Sequence, residues 1–222
     1  LALLGFVLCV LLLPPTRSER VVSIHKDPMP WRGLLFDRSL AGLFLFRFAY
    51  VVCIGIIWGF IPVYADSEFS LSSSAIGILI MLGVFISGSF HVPMGYLADR
   101  LNKKMMVVIG GLIVGCAILS FDWADSYRDM VLATVFFGLG GGISMPAVMA
   151  LAVLIGNKSD AMGSVMALLT VAHSLGMLAG ALLGGFMMDL FQLRFAFPAG
   201  ALVMIIGTVL FLIGTRSKES QL

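Results

Sequence analysis

Two ionisable side chains, Arg47 and His173, stand within long apolar stretches of this 222-residue sequence. A charged or titratable group at membrane depth is costly to bury, so it is a candidate for binding a ligand or a proton. At helical spacing, Arg47 shares a face with Tyr50 and Trp58. A cation beside aromatic rings would line a ligand cavity. Alternatively, Arg47 would extend its guanidinium along the helix to nearby lipid headgroups.

His173 lies in the middle of its apolar stretch and shares a helix face with Gly176, Gly180 and Gly184. An imidazole at this position would relay protons or contact a ligand. It would equally be able to bond a neighbouring backbone across a close helix contact at the glycines. The two stretches together supply the candidate cavity residues Arg47, Tyr50, Trp58, Thr170, His173 and Met177.

Catalytic and metal chemistry have no signature in the sequence. The three cysteines, Cys9, Cys53 and Cys116, lie in apolar stretches without the spacing of metal ligands. The three histidines are far apart, and neither an H-E-x-x-H arrangement nor a G-x-x-x-x-G-K-S/T loop occurs. The net charge of +2 does not indicate a nucleic-acid partner. We therefore expect no catalytic residue, no metal and no cofactor.

Membrane-spanning helices are the elements that must position these residues. Hydrophobic residues make up 60% of the chain and charged residues 12%, whereas a soluble domain carries about 25% charged residues. Apolar stretches of about 20 residues recur, which is the length that crosses a bilayer, and the alternation of barrel strands is absent. The sequence predicts an all-α polytopic membrane protein with the six spans Leu40–Ala65, Ser74–Gly95, Met105–Phe121, Met130–Gly156, Ala161–Met188 and Arg194–Thr215.

Basic residues predict how the spans are oriented. The loops on one side contain eleven Lys and Arg residues, whereas the opposite loops contain only Arg128 and Arg194. Loops rich in Lys and Arg stay cytoplasmic, so we predict that the basic side faces the cytoplasm from a cell membrane. Asp189 closes the fifth span and is expected to cap it or to pair with Arg194. The basic side comprises segments 14–39, 96–104, 157–160 and the tail after residue 215.

The first 13 residues are apolar but too few to cross a bilayer, and Pro14 and Pro15 follow them. We interpret 1–13 as a truncated transmembrane helix. A signal peptide is the alternative, although a basic n-region and a clear cleavage site are missing. The predicted domains are therefore the truncated helix 1–13, a cytoplasmic loop 14–39, a six-helix bundle 40–215 and a cytoplasmic tail 216–222.

A motif follows the second complete span and reads Gly95-Tyr96-Leu97-Ala98-Asp99-Arg100-Leu101-Asn102-Lys103-Lys104. It resembles the G-x-L-A-D-R-x-G-R-K signature that the major facilitator superfamily carries between helices 2 and 3 and, more weakly, between helices 8 and 9. Gly95 is expected to let a neighbouring helix approach. Asp99 would accept hydrogen bonds or pair with the cluster of Arg100, Lys103 and Lys104, which can also meet anionic headgroups.

Two positions depart from the signature of that superfamily. Asn102 replaces its second glycine and is expected to tolerate a left-handed turn. Lys103 stands where the family prefers Arg, so bidentate pairing is not expected there.

The resemblance implies that the chain is the C-terminal half, helices 7–12, of a secondary transporter that works by alternating access. Segment 1–13 would be the end of helix 6, and the N-terminal six-helix half would be missing from this chain. The motif at Asp99 and Arg100 would latch the two bundles in one state without contacting substrate.

Glycines in two spans carry a further resemblance. Gly138, Gly142 and Pro146 look like helix 10 of drug-efflux members, where they would pack and bend the helix. Gly176, Gly180 and Gly184 are similar to a glycine-rich antiporter motif, whose proline is Ala181 here. Simple helix packing explains the first set equally well.

These glycine motifs imply proton-coupled efflux of drugs or metabolites, with a small-molecule substrate, a proton and membrane lipid as partners. No complete span carries an acidic residue at its middle, so a coupling carboxylate would belong to the missing half. An uptake porter for a small organic solute is the alternative. A membrane-embedded enzyme and a non-transport membrane protein are distant alternatives.

Overall fold

The computed structural model describes Gly33 and residues 37–216, and its regular elements in this part of the chain are all helices. The predicted all-α fold is confirmed. The predicted truncated helix 1–13, most of the predicted loop 14–39 and residues 217–222 of the predicted tail lie outside the described residues. The elements are α1 (Arg38–Phe69), α2 (Ser73–Arg100), α3 (Lys103–Ser120), a 3-10 turn (Phe121–Trp123), α4 (Tyr127–Ser159), α5 (Met162–Leu190), a second 3-10 turn (Leu193–Phe195) and α6 (Ala196–Arg216).

All six α-helices are long and apolar enough to cross a membrane. Their ends alternate between two faces of the bundle. One face, the basic end, holds Arg38, Arg100, Lys158 and Arg216, and the other, the acidic end, holds Glu68 and Asp129 with neighbouring carboxylates. Polar side chains begin most of these helices, because Asp37, Ser72, Asn102 and Ser126 each accept a hydrogen bond from the first turn.

Helix α1 lies at the centre of the bundle and packs along α5 and α6, while α2 packs along α4, and α3 lies against α4 and α6. Buried residues occur on all sides of α1. Only Leu79 and Ala98 are buried on α2, which makes little contact with α1. A cleft therefore remains between α1 and α2.

The motif after the second span is helical rather than looped. Helix α2 continues through Pro93 and past the predicted boundary at Gly95 to Arg100. Its Leu-Ala-Asp-Arg segment contains no helix breaker, and a cation in the last turn complements the helix dipole. Only Leu101 and Asn102 connect it to α3.

The expected left-handed turn at Asn102 is wrong. The φ of Asn102 is −67°, and its side-chain oxygen accepts from the backbone N–H groups of Lys104 at 3.0 Å and Met105 at 3.3 Å. The asparagine therefore starts α3 as an N-cap. Among the described non-glycine residues, only Ser70 and Asp160 have a positive φ, and each ends a helix.

Arg194 ties three segments together at the acidic end. Its Nε donates to the Tyr64 hydroxyl at 3.1 Å, and its Nη2 donates to the Ala124 carbonyl at 3.2 Å and lies 3.7 Å from Asp125. The hydrogen bond to Tyr64 raises the pKa of Arg194 above the ordinary, already high value of an arginine. The expected pairing of Arg194 with Asp189 is therefore wrong, because Arg194 turns toward α1 and the α3–α4 connection.

Candidate functional site

A cavity of about 370 Å³ occupies the cleft between α1, α2 and α4. Its walls are mostly apolar, and the ring of Tyr50 stacks on Phe137 with centroids 6.0 Å apart. The cleft stays open because its α2 wall carries small residues, and a Cβ added at Gly88 would meet no atom within 4 Å. The side chains that bring polar atoms to the walls are Tyr50, Trp58, Ser87, His91 and Thr134.

Arg47 lies one helical turn from Tyr50, toward the basic end of this cavity. It lies nine positions after Arg38, about 14 Å along α1 from that end. Its Nη1 donates to the sulfur of Met145, and its Nη2 lies 3.3 Å from Nδ1 of His173. The guanidinium therefore turns into the bundle, and the alternative in which it extends to headgroups is not the arrangement observed.

The contact between Arg47 and His173 determines the protonation of the imidazole. A guanidinium has five donors and no acceptor, so Nδ1 of His173 must accept the hydrogen bond. The ring is then neutral and carries its proton on Nε2. Protonation of Nδ1 would break the bond and place two cations side by side, so the position of Arg47 and the charge of His173 are linked.

The polar cluster around Arg47 contains no anion among the described residues. Tyr50 and His91 interact electrostatically with the guanidinium, and both also line the cavity. Nε of Arg47 is buried without a hydrogen-bond partner in the described part of the chain. The carboxylates of the six helices lie within a few residues of the helix ends. The cluster thus carries a positive charge next to an apolar cavity.

The structure brings only part of the predicted cavity set together. Tyr50 and Trp58 line the cavity, and Arg47 and His173 form the cluster beside it. Thr170 is exposed, and its hydroxyl donates to the Met166 carbonyl at 3.0 Å. Met177 belongs to the contact between α5 and α1. Thr170 and Met177 therefore do not line the cavity between α1, α2 and α4, because α5 presents its glycine face to α1. Their contribution to a ligand site elsewhere in the protein stays a prediction.

Sequence reasoning missed the contribution of α2. Ser87 and His91 line the cavity, and Ile80 and Gly83 precede them at spacings of three to four residues. That spacing describes one helix face, so the small and polar residues on it were the available signal. Met145, which contacts Arg47, has no such signal because it is one of 14 methionines.

The motif residues at the basic end make contacts that differ from the expected ones. The guanidinium of Arg100 lies over the ring of Tyr96, 4.2 Å from its centroid, and Nζ of Lys104 donates to the Thr215 carbonyl at 2.8 Å. Asp99 is exposed and makes no ion pair or hydrogen bond with the described residues. No described atom lies within 4 Å of a Cβ added at Gly95, so the expected helix approach there is not seen.

The glycines of α4 lie where α2 crosses. A Cβ at Gly138 would stand 2.7 Å from the Gly83 carbonyl oxygen, and one at Gly142 would stand 2.6 Å from Cβ of Phe90. Either contact is too short for a side chain. Helix α4 runs without interruption through Pro146.

The glycine stripe of α5 lies against α1. A Cβ at Gly176 would stand 2.7 Å from the Phe48 carbonyl oxygen, and Gly180 meets Val52 and Gly55 backbone. Gly184 receives the ring of Phe60. These three positions therefore determine how closely the helix that carries His173 approaches the helix that carries Arg47.

Metal binding has no visible basis in the part of the chain that the structure describes. No group of three or more His, Cys, Asp or Glu side chains there is close enough to hold an ion.

Comparison with known proteins adds an independent finding. The sequence model of the Major Facilitator Superfamily matches residues 43–222. The quinolone resistance protein NorA of Staphylococcus aureus is 28% identical over an alignment of 180 residues. That alignment covers 78% of this chain and 45% of that protein. The uncharacterized MFS-type transporter MJ1560 of Methanocaldococcus jannaschii is 23% identical over 175 residues, 78% of this chain and 44% of that protein.

The chain thus spans a little under half the length of the curated relatives that it matches. The family match covers five of the six helices completely and all of α1 except its first turn. Six apolar helices and a family match of this extent leave no ambiguity of class: the chain is a multi-pass membrane protein that belongs to the Major Facilitator Superfamily.

Proposed function

We propose that this chain forms the second six-helix bundle of a secondary transporter that exports drugs or metabolites in exchange for protons. Membership of the superfamily supports a membrane transporter. The name of its relative in Staphylococcus aureus, a quinolone resistance protein, favours efflux. The observation that carries the proposal is the cavity between α1, α2 and α4, next to which Arg47 contacts the titratable side chain of His173.

Alternating access requires a ligand site near the membrane midplane and a bundle interface that can change. The cavity meets the first requirement, because Tyr50 and His91 bound it well inside their helices. The N-terminal bundle, which this chain does not include, would cover the exposed face of α2. Asp99 at the basic end would then form its contacts across the interface, and this end would face the cytoplasm of a cell membrane.

His173 is our candidate for proton coupling within this bundle. Its neutral form holds Arg47 through the 3.3 Å contact, and its protonated form would repel the guanidinium. Uptake of one proton would therefore free Arg47 to move relative to the cavity. This step uses only groups on α1 and α5, which pack directly on each other.

The test is transport by the full-length protein in proteoliposomes, with a quinolone inside and an imposed proton gradient. We expect efflux that depends on the gradient and stops when a protonophore collapses it. His173→Gln should keep the neutral contact with Arg47 and lose the dependence on the gradient, while Arg128→Gln at the exposed acidic end serves as a matched polar control. Efflux that persists at the same rate without a gradient would refute proton coupling.

A further inference from the structure

Arg47 is the one charged side chain, among the described residues, that lies away from the helix ends. Burying a cation in a medium of low dielectric is costly unless an anion pairs with it. The groups that contact Arg47 are a thioether sulfur and a neutral imidazole nitrogen, and both are uncharged acceptors. Its Nε, moreover, has no hydrogen-bond partner in the described part of the chain. Within the described residues, the site is therefore short of one negative charge.

The cavity beside this charge determines what kind of anion would fit. Aromatic and branched aliphatic side chains form its walls, including Trp58 and Phe137. The few hydroxyl groups belong to Tyr50, Ser87 and Thr134. Thr134 already donates to the Met130 carbonyl at 2.8 Å, so its hydroxyl is satisfied. Walls of this kind bind an apolar, flat body, and they leave one end of the ligand to be recognised by charge.

Tyr50 connects the cavity to Arg47. It lines the cavity and lies one helical turn from Arg47 on the same face of α1. Arg47 is only half-buried as a whole residue. The planar fork of donors on a guanidinium matches the oxygen atoms of a carboxylate or of a phosphate.

We propose that Arg47 is the anion-binding residue of the transport cavity, and that the substrates are amphipathic organic monoanions, such as aromatic carboxylates, whose apolar bodies fill the space between α1, α2 and α4. This inference rests on the proposed transport function, because it names the substrate class of the same cavity. One guanidinium without a second cation in the described spans predicts a single negative charge on the ligand. His91 and His173 add neutral donors or acceptors around it.

The experiment measures binding to the purified full-length protein in lipid nanodiscs with three probes that share one ring system. Naphthaleneacetate carries the carboxylate, naphthaleneacetamide is its neutral isostere, and naphthylmethylamine is a cation. Charge-assisted pairing predicts that the acid binds about tenfold to a hundredfold more tightly than the amide. The amine should bind least tightly, because it would meet Arg47.

Variants assign the preference to this residue. Arg47→Gln should make the acid and the amide bind equally, and Arg47→Lys should keep part of the preference because it retains the charge and loses the fork. Arg128→Gln, which removes a charge from the exposed acidic end, should leave the preference intact. If Arg47→Gln does not fold, the lysine variant and the comparison of acid with amide in the unmodified protein still decide the question.

Two results would overturn the inference. Equal binding of acid and amide to the unmodified protein would show that another carboxylate of the protein already pairs with Arg47. A preference for the acid that survives in Arg47→Gln would place the anion site elsewhere. Failure of the transport function is separate: if the acid binds through Arg47 but does not move across proteoliposomes, the binding site stands and the proposed transport activity falls.

Discussion

Filling the cavity from α2 should weaken ligand binding strongly without harming the fold. Gly88 lines the cavity, and a Cβ added to it meets no atom within 4 Å. Gly88→Leu therefore projects a side chain into the space between α1, α2 and α4 without a clash. Replacing glycine inside a helix also gains about 0.8 kcal/mol of helix propensity. We expect thermal stability to stay the same or rise by about 2–4 °C.

The loss of affinity follows from the volume that the new side chain takes. A leucine side chain has four carbon atoms, so a ligand loses contacts worth about three to four methylene groups. At about 0.8 kcal/mol for each methylene, binding weakens by about 2.4–3.2 kcal/mol. That is an increase in Kd of about 50-fold to 200-fold.

The assay is equilibrium binding of radiolabelled naphthaleneacetate, together with thermal unfolding of the same samples. Gly77→Leu is the matched control. Gly77 lies on the same helix, a Cβ added to it also meets no atom within 4 Å, and it does not line the cavity. Its affinity should stay within about twofold of the unmodified protein, since it is an exposed substitution away from the site. Unchanged binding in Gly88→Leu, at normal stability, would refute the assignment of the cavity as the ligand site.

Three further predictions concern packing and the motif. Gly180→Ala would place a methyl group against the backbone of α1, so it should destabilise the protein by about 1–3 kcal/mol. Gly185→Ala is the control and should not destabilise it, because the added Cβ meets only a ring atom at 3.9 Å. Equal melting temperatures of the two variants would contradict the contact between α5 and α1. Arg194→Gln removes hydrogen bonds to a hydroxyl and a carbonyl at a partly exposed site, so it should lower the free energy of unfolding by about 1–2 kcal/mol. Arg128→Gln should lower it by less than about 0.5 kcal/mol. Thermal unfolding measures both changes. Asp99→Asn should alter the transport rate at normal expression, and an unchanged rate would remove the motif from the conformational cycle.

Hydropathy was sufficient to predict the helices, because crossing a bilayer demands about 20 apolar residues in each span. The spans were confirmed in number and type. The second span was drawn too short at Gly95, since charged residues look like a loop in a hydropathy profile. In the structure those charges sit on the last helical turn, where Arg100 lies over Tyr96 and remains accessible to solvent.

The candidate site was only partly predictable. A cation inside a membrane span is costly to bury, so the sequence alone predicted Arg47 as a site residue. Helical spacing then placed Tyr50 on the same face. The contact with His173 joins residues 126 positions apart, and no pattern in one sequence carries that pairing. The orientation of α5 places Thr170 outside this cavity, because three glycines of the helix face α1 and Thr170 is left exposed.

We propose that ligands bind in the cavity between α1, α2 and α4, next to Arg47. The sharpest test is photoaffinity labelling of the full-length protein with a diazirine derivative of naphthaleneacetate, followed by peptide mass spectrometry. We expect labels on cavity residues such as Trp58, Val84 and Phe137, and excess unlabelled acid should suppress them. Labels confined to exposed positions outside the cavity, such as Leu182 or Ile213, or labels insensitive to the competitor, would refute binding in this cavity.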